Sequence, residues 1–172
     1  TSPSELRAWK DPLLIAARWH DAGKAHAVFQ SAVPADLVPR RALWGKCQPK
    51  MKRYERPGFR HELASAMAML GRDLPDLAVY LAAAHHGKVR LSIRSLPHEN
   101  RPPDDSERRF ARGIWDGDKL PAADLGGGVW LPETLLDLSY MELGDGPRGP
   151  SWLARMLRLR DELGPFRLAY LE

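Results

Sequence analysis

The chain has 172 residues, 26 Lys and Arg against 22 Asp and Glu, and a formal charge of +4, a mild excess that permits an anionic partner without demanding one. Its length fits one domain and its 44% hydrophobic content fills one core, while no apolar run approaches the roughly 20 residues that cross a bilayer. The lone cysteine, Cys47, excludes an internal disulfide and agrees with a reducing, cytoplasmic setting, as does a Thr1–Lys10 segment without a signal pattern.

In chain order, Asp11-Pro12 reads as a helix start, with Asp as cap and Pro tolerated in the first position. Leu13, Leu14, Ala16 and Ala17 lead from it into Trp19-His20-Asp21. A polar, Pro-containing connection spans 31–58. A second helix is predicted from Phe59 to Leu70, closed by Gly71, and a third from Pro75 to His85-His86, stopped by Gly87. Residues 88–105, with three prolines and little periodicity, read as an extended loop. Gly126–Gly128 and Leu131-Pro132 mark another irregular stretch, and 129–131 with 136–141 suggest one short hairpin. Ser151 caps an amphipathic helix to Leu163, Gly164-Pro165 breaks it, and a last helix from Phe166 is still running at Glu172. The expected class is all-α: a helical bundle with long irregular loops and one short hairpin.

The chemistry sits at the helix ends. His20-Asp21 closes the first helix, His61 opens the second and His85-His86 closes the third. Neutral imidazoles suit borderline divalent metals, and one carboxylate can bridge two ions. Two ions a few ångströms apart activate a water and neutralise charge on a phosphoryl group. Lys24, four residues after His20, falls on the same helix face and offers its ammonium to a phosphate oxygen. Each motif alone has an ordinary explanation: a chance His-Asp pair, or histidines complementing a helix dipole. The order His-Asp, His, His-His on three helices makes the joint reading the better one.

Two other features belong to the site. Lys46, Lys50, Lys52, Arg53, Arg56 and Arg60 precede His61, interleaved with Trp44, Tyr54 and Phe59, a pattern that fits a single-strand groove with base stacking as well as a solvated loop. Arg90 and Arg94 follow His86 and carry the same two readings. Arg108, Arg109 and Arg112 form a further basic cluster, and Arg155, Arg158 and Arg160 read as the wet side of their helix. Gly126–Gly128 has no following Lys-Ser or Lys-Thr, so it is no phosphate-binding loop, and there is no helicase motor. Cys47 has no histidine close in sequence to act as its base.

Trp19-His20-Asp21-Ala22-Gly23-Lys24 resembles the HD-x-G-K signature of the HD superfamily of metal-dependent phosphohydrolases. Arg60-His61-Glu62 and Ala84-His85-His86-Gly87 resemble the later histidine motifs of one branch, the HD nuclease domain of the CRISPR type I helicase-nuclease. Residues 112–120, and 135 through 144 to Pro165-Phe166-Arg167, resemble a subtype in which this domain follows the helicase. The resemblance covers most of the chain. It implies that Asp21 bridges, that His61, His85 and His86 complete one metal site with it, and that His20 holds a second metal, with Asp21 and Lys24 as catalytic residues. It also implies one or two divalent ions (Mn, Ni, Co, Fe or Mg) and cleavage of single-stranded DNA in CRISPR interference. The implied partners are a helicase domain in the same or another chain and a crRNA-guided surveillance complex.

The family pattern includes a His upstream of His-Asp and an Asp on a late helix, and neither is present in its expected context. The expectation is therefore one HD nuclease domain over 1–172, truncated at both ends, with Asp137, Asp161, His26 and His98 as internal substitutes of lesser fit. Two alternatives stay open: an HD phosphohydrolase acting on nucleotides, and a catalytically silent docking or structural domain.

Overall fold

The computed structural model describes residues 3–34, 43, 45, 51–87, 91–103 and 107–171. Helix α1 (Pro3–Trp19) begins on a proline, harmless in a first turn, and runs through Pro12. The start expected at Asp11-Pro12 is corrected accordingly. Arg7, Ala8 and Lys10 favour helix, and a helix already under way absorbs a proline at the loss of one backbone hydrogen bond. The helix ends at Trp19, so His20 and Asp21 occupy the turn just beyond it. A 3-10 turn (Ala22–Ala25) and the short α2 (Ala27–Ser31) follow, neither signalled by periodicity. His26 caps α2 by accepting the Val28 N–H on Nδ1 at 3.2 Å.

Helix α3 (His61–Leu70) is the centre of the molecule: every residue from Glu62 to Leu70 is buried. It starts two residues later than expected because Arg60 is extended (φ −127°, ψ 103°) and Phe59 is buried ahead of it. Gly71 is not a left-handed cap, since its φ is −61°; the chain reverses at Asp73, with φ 53°. Helix α4 (Asp76–Ala84) is apolar all round and buried from Leu77 to Ala84, as a helix enclosed by others must be. It packs on α3, α1 and the helix over residues 152–163, and Gly87 beyond it takes the left-handed conformation (φ 69°).

Residues 91–103 contain no helix or strand, as expected. The β content, however, exceeds the single hairpin foreseen. Strands β1 (Phe110–Ala111) and β2 (Ile114–Trp115) form a tight hairpin across Arg112 and Gly113, both at positive φ (55° and 72°), the two-residue geometry whose twist matches the strands. Strand β3 (Lys119–Leu120) pairs with β6 (Thr134–Leu135), and β4 (Ala123–Asp124) with β5 (Trp130–Leu131). The two ladders share one register and make one long hairpin, interrupted where Pro121 and Pro132 lack the N–H a ladder needs. Its turn is the 125–129 segment that looked merely irregular. The partner of 130–131 is thus 123–124; residues 136–141 contain a 3-10 turn (Ser139–Met141) instead of a strand. Strands β7 (Asp145–Gly146) and β8 (Gly149–Pro150) form a fourth short ladder.

Helix α5 (Trp152–Leu163) has the expected cap, Ser151 accepting the Ala154 N–H at 3.2 Å. It buries Trp152, Met156 and Leu159, while Leu153, Leu157 and Leu163 are only half-buried. Arg155 and Arg158 are not simply solvated. Arg155 donates to Asp76 at 2.7 Å and Arg158 pairs with the same carboxylate, tying α5 to the start of α4. Gly164 (φ 79°) breaks the chain before α6 (Pro165–Leu171). Among the described residues, no helix is long and apolar enough to cross a membrane.

Candidate metal centre

Three buried elements bring the histidines together. The turn after α1 carries His20 and Asp21 and docks on the first turns of α3. Gly23 makes that docking possible, because a Cβ there would lie 2.0 Å from the His61 carbonyl oxygen and 2.9 Å from Ala64 Cβ. Ser65 then clasps the turn: its hydroxyl accepts the Gly23 N–H and donates to the His20 carbonyl, both at 2.8 Å. On the other side, the β1–β2 hairpin abuts the approach to α3. A Cβ at Gly113 would lie 2.7 Å from Phe59 Cα, and the Arg60 N–H donates to the Arg112 carbonyl at 3.0 Å. His61 is thereby fixed from two directions, and α4 delivers His85 and His86 at its C-terminal end.

The donor atoms converge on Asp21. Its Oδ1 lies 3.3 Å from His61 Nε2 and 3.9 Å from His85 Nε2; its Oδ2 lies 3.3 Å from His20 Nε2. His86 Nε2 is 3.3 Å from His61 Nε2. Among the described residues, two groups have mutually close ligand atoms suited to a metal ion: His61, His85 and His86, and His20, Asp21 and His85. His85 belongs to both. His20 Nδ1 lies 2.8 Å from the Ala17 carbonyl and His85 Nδ1 2.7 Å from that of Ala82. A carbonyl only accepts, so each Nδ1 carries the proton and each Nε2 presents its lone pair to the centre.

This donor set fits a divalent cation. Asp21 Oδ1 is buried without an aligned hydrogen bond, an uncompensated acceptor aimed at imidazole nitrogens. With metal–nitrogen bonds of about 2.1 Å, two cis ligands lie about 3.0–3.4 Å apart, which matches the His61–His86 separation. The protonation states agree as well. Burial pushes the Asp21 carboxyl up, but the hydrogen bonds with His61 and the Lys24 ammonium, helped by the nearby His20 ring, outweigh it and hold the group well below the usual carboxylate range. Burial pushes His85 down against the opposing hydrogen bond to Ala82, and the neighbouring His86, His20 and His61 rings push the same way, which favours the neutral imidazole that ligates.

Lys24 is placed differently from the helix-face expectation, because the chain has left α1 before reaching it. Its ammonium donates to Asp21 Oδ2 at 2.7 Å. His26 is not drawn into the centre: it is buried, packs on Phe59 and faces Asp118 Oδ2 at 3.2 Å. Asp137 is engaged by the Ser139 N–H at 2.8 Å and by Arg148 at 2.6 Å, and Asp161 pairs with its neighbour Arg160 at 2.7 Å; neither joins the ligand groups.

Lys46, Lys50 and Arg90, with Trp44 and Cys47, lie outside the described residues. Lys52, Arg53 and Arg94 are exposed, and Arg60 is partly so, with Nε 3.8 Å from Glu62. Arg56 is engaged elsewhere. It pairs with the buried Asp118, donates to the Gly113 carbonyl at 3.3 Å and stacks on Trp115 at 3.5 Å. Tyr54 and Phe59 pack on each other and on Phe29 and His26, so their rings belong to the core and not to a stacking surface. The Arg108–Arg112 cluster is likewise structural: Arg108 donates to the Asp116 carbonyl and Arg109 pairs with Asp116 and Glu142.

The sequence reading passed over Ser65, whose only signal is one hydroxyl in an otherwise apolar helix, four residues after His61. Arg18, in the last turn of α1, gave no signal either. No curated protein and no solved structure was found to match the chain. The family model for "Cas3, HD domain" matches residues 2–123, a span that takes in every residue of the histidine cluster. With the His-Asp turn, the α3 histidine and the α4 histidine pair assembled around one carboxylate, and with most of its length matched, the chain belongs to the Cas3 HD domain family.

Proposed function

We propose that this chain is a metal-dependent nuclease that hydrolyses phosphodiester bonds of single-stranded DNA in CRISPR interference, in the cytoplasm. It would work with a helicase domain, in the same or another chain, and a crRNA-guided surveillance complex. The observation that carries the reading is the cluster around Asp21: His61 and His85 face its buried Oδ1, His20 faces Oδ2, and His86 joins through His61. His61, His85, His86 and Asp21 would hold one ion, and His20 with Asp21 would hold the other. One or two divalent ions (Mn, Ni, Co, Fe or Mg) supply an activated water and neutralise the charge of the phosphoryl group.

The chain's own residues do the rest. The Nδ1–H bonds to Ala17 and Ala82 lock His20 and His85 as Nε2 donors. Ser65 and Gly23 keep the His-Asp turn in register with His61. Lys24 holds a proton beside the carboxylate and offers charge to a phosphate oxygen. Lys52, Arg53, Arg60 and Arg94, with Lys46, Lys50 and Arg90, would follow the strand's backbone. The half-open site, with the Asp21 side chain 41% exposed and His86 at the surface, favours a polymer over a nucleotide closed within a pocket.

The test is metal content followed by turnover of single-stranded DNA and of deoxynucleoside triphosphates with Mn²⁺, Ni²⁺ or Mg²⁺. Asp21→Ala and His85→Ala should each lose cleavage by about 100-fold or more, together with metal. Cleavage unchanged in both would overturn the nuclease reading. Triphosphate turnover alone would favour the nucleotide phosphohydrolase, and absence of both metal and turnover in the parent the silent domain.

A further inference from the structure

Beside Asp21 opens a pocket of about 230 Å³ that the chemistry above leaves unused, lined among others by Arg18, Asp21, Lys24, Ala25, Asp124 and Leu125. Arg18 stands in the last turn of α1, exposed, two residues before the His-Asp pair. Among the described residues no carboxylate pairs with it, whereas Arg56, Arg109, Arg155 and Arg158 all have one. Of the two acids on the pocket wall, Asp21 is held by Lys24 and the histidines, and Asp124 accepts the N–H of Gly126 in its own loop at 2.8 Å. The guanidinium lies against the turn of the long hairpin. A Cβ on Gly127 would sit 2.1 Å from Arg18 Nη1 and 2.6 Å from Nη2, and residues 126, 127 and 128 all have positive φ (78°, 56° and 79°). Two glycines of a run that makes no nucleotide-binding loop, Gly126 and Gly127, thus make a side-chain-free shelf for an arginine.

We propose that Arg18 is a phosphate-binding residue, holding the phosphodiester next to the one cut at the metal centre. A guanidinium presents a planar fork that matches two phosphate oxygens, and a fork resting on a glycine shelf loses less freedom on binding than a free side chain. Lys24 and Arg18 flank Asp21 in one pocket, so a strand whose scissile group sits at Asp21 brings its neighbouring phosphate to Arg18. The ligand class is a nucleic-acid backbone. The assignment rests on the nuclease reading for its direction of approach, but its own signature is in binding.

The experiment measures binding of a fluorescein-labelled oligothymidylate by anisotropy across a salt series, for the metal-free parent, Arg18→Ala and Arg18→Gln. Arg18→Gln keeps the stem and a polar tip against the shelf should the alanine variant fail to fold. Expected is a roughly tenfold weaker Kd and a salt slope smaller by about 0.7, the loss of one single-strand phosphate contact. Mn²⁺ bound per chain should match the parent. An unchanged slope and Kd in folded Arg18→Gln, or a fall in melting temperature alone, overturns the subsite and makes Arg18 a strut for the loop. The same oligonucleotide is then offered to the Mn²⁺-loaded parent. An Arg18-dependent slope without cleavage keeps the subsite and sinks the nuclease reading; cleavage with an Arg18-independent slope does the reverse.

Discussion

Replacing Gly23 with alanine sets two physical arguments against each other. Gly23 is not among the residues at positive φ, so its backbone alone would accept alanine, and the less flexible unfolded chain would then favour the variant by about 0.4–1 kcal/mol. Space argues the opposite. The new Cβ would lie 2.0 Å from the His61 carbonyl oxygen, and reaching ordinary contact needs the turn and α3 to part by about 1.4 Å. The obstacle is main chain in a helix buried along its length, so no rotamer change relieves it. A loss of about 2–3 kcal/mol is expected. The shift also opens the His61–Asp21 pairing, now 3.3 Å, and metal sites tolerate only about 0.2 Å in ligand distance, so metal affinity should fall at least about tenfold. Urea unfolding gives the first quantity and calorimetric Mn²⁺ titration the second. Ser65→Ala, which removes both hydrogen bonds of the clasp without adding bulk, should cost about 1–3 kcal/mol and weaken metal in the same sense. A Gly23→Ala chain as stable as the parent, with the parent's metal affinity, would refute the close-contact argument.

Two further substitutions probe the scaffold. Burial pushes the Asp118 carboxyl up, but His26, Arg56 and the Trp115 N–H outweigh it and hold it below its ordinary value of 3.8. Its stabilisation is therefore complete above that value and lost as pH falls through the lower folded one, at no more than about 1.4 kcal/mol per pH unit. Asp118→Asn should be less stable at neutral pH and show a flatter acid limb in thermal melts; parallel profiles for the two chains would contradict this. Asp76→Ala leaves Arg155 and Arg158 without their shared carboxylate and should cost about 2–3 kcal/mol, with metal affinity within about twofold of the parent because His85 lies at the other end of α4. Unchanged stability would mean that the pair does not tie α5 to α4.

The site was more legible than the scaffold that holds it. Ligand chemistry restricts residue type, so His20-Asp21, His61 and His85-His86 stand out in a linear reading, and the structure brings these five together. Chain breaks marked by backbone chemistry were also readable, at Gly87, Ser151 and Gly164-Pro165. What escaped was decided outside the motif itself, mostly by distant partners. Pro12 reads as a start until the residues ahead of it prove helical. The register of 119–124 against 130–135 is invisible because its ladders are two residues long and broken by prolines. Arg56 looks like one more surface cation, and only Asp118, 62 positions later, makes it a strut. Tyr54 and Phe59 look available for stacking until α2 and His26 claim their rings.

His85 has a consequence for how many ions can sit here at once. With Nδ1–H engaged by the Ala82 carbonyl, its ring keeps one lone pair, and one lone pair serves one ion. Because His85 belongs to both donor groups, an ion held with His61 and His86 would leave the other group His20 and Asp21 alone. The two halves would thus compete for a single atom, and occupancy of one would lower the affinity of the other: antagonism written into the tautomer of one imidazole.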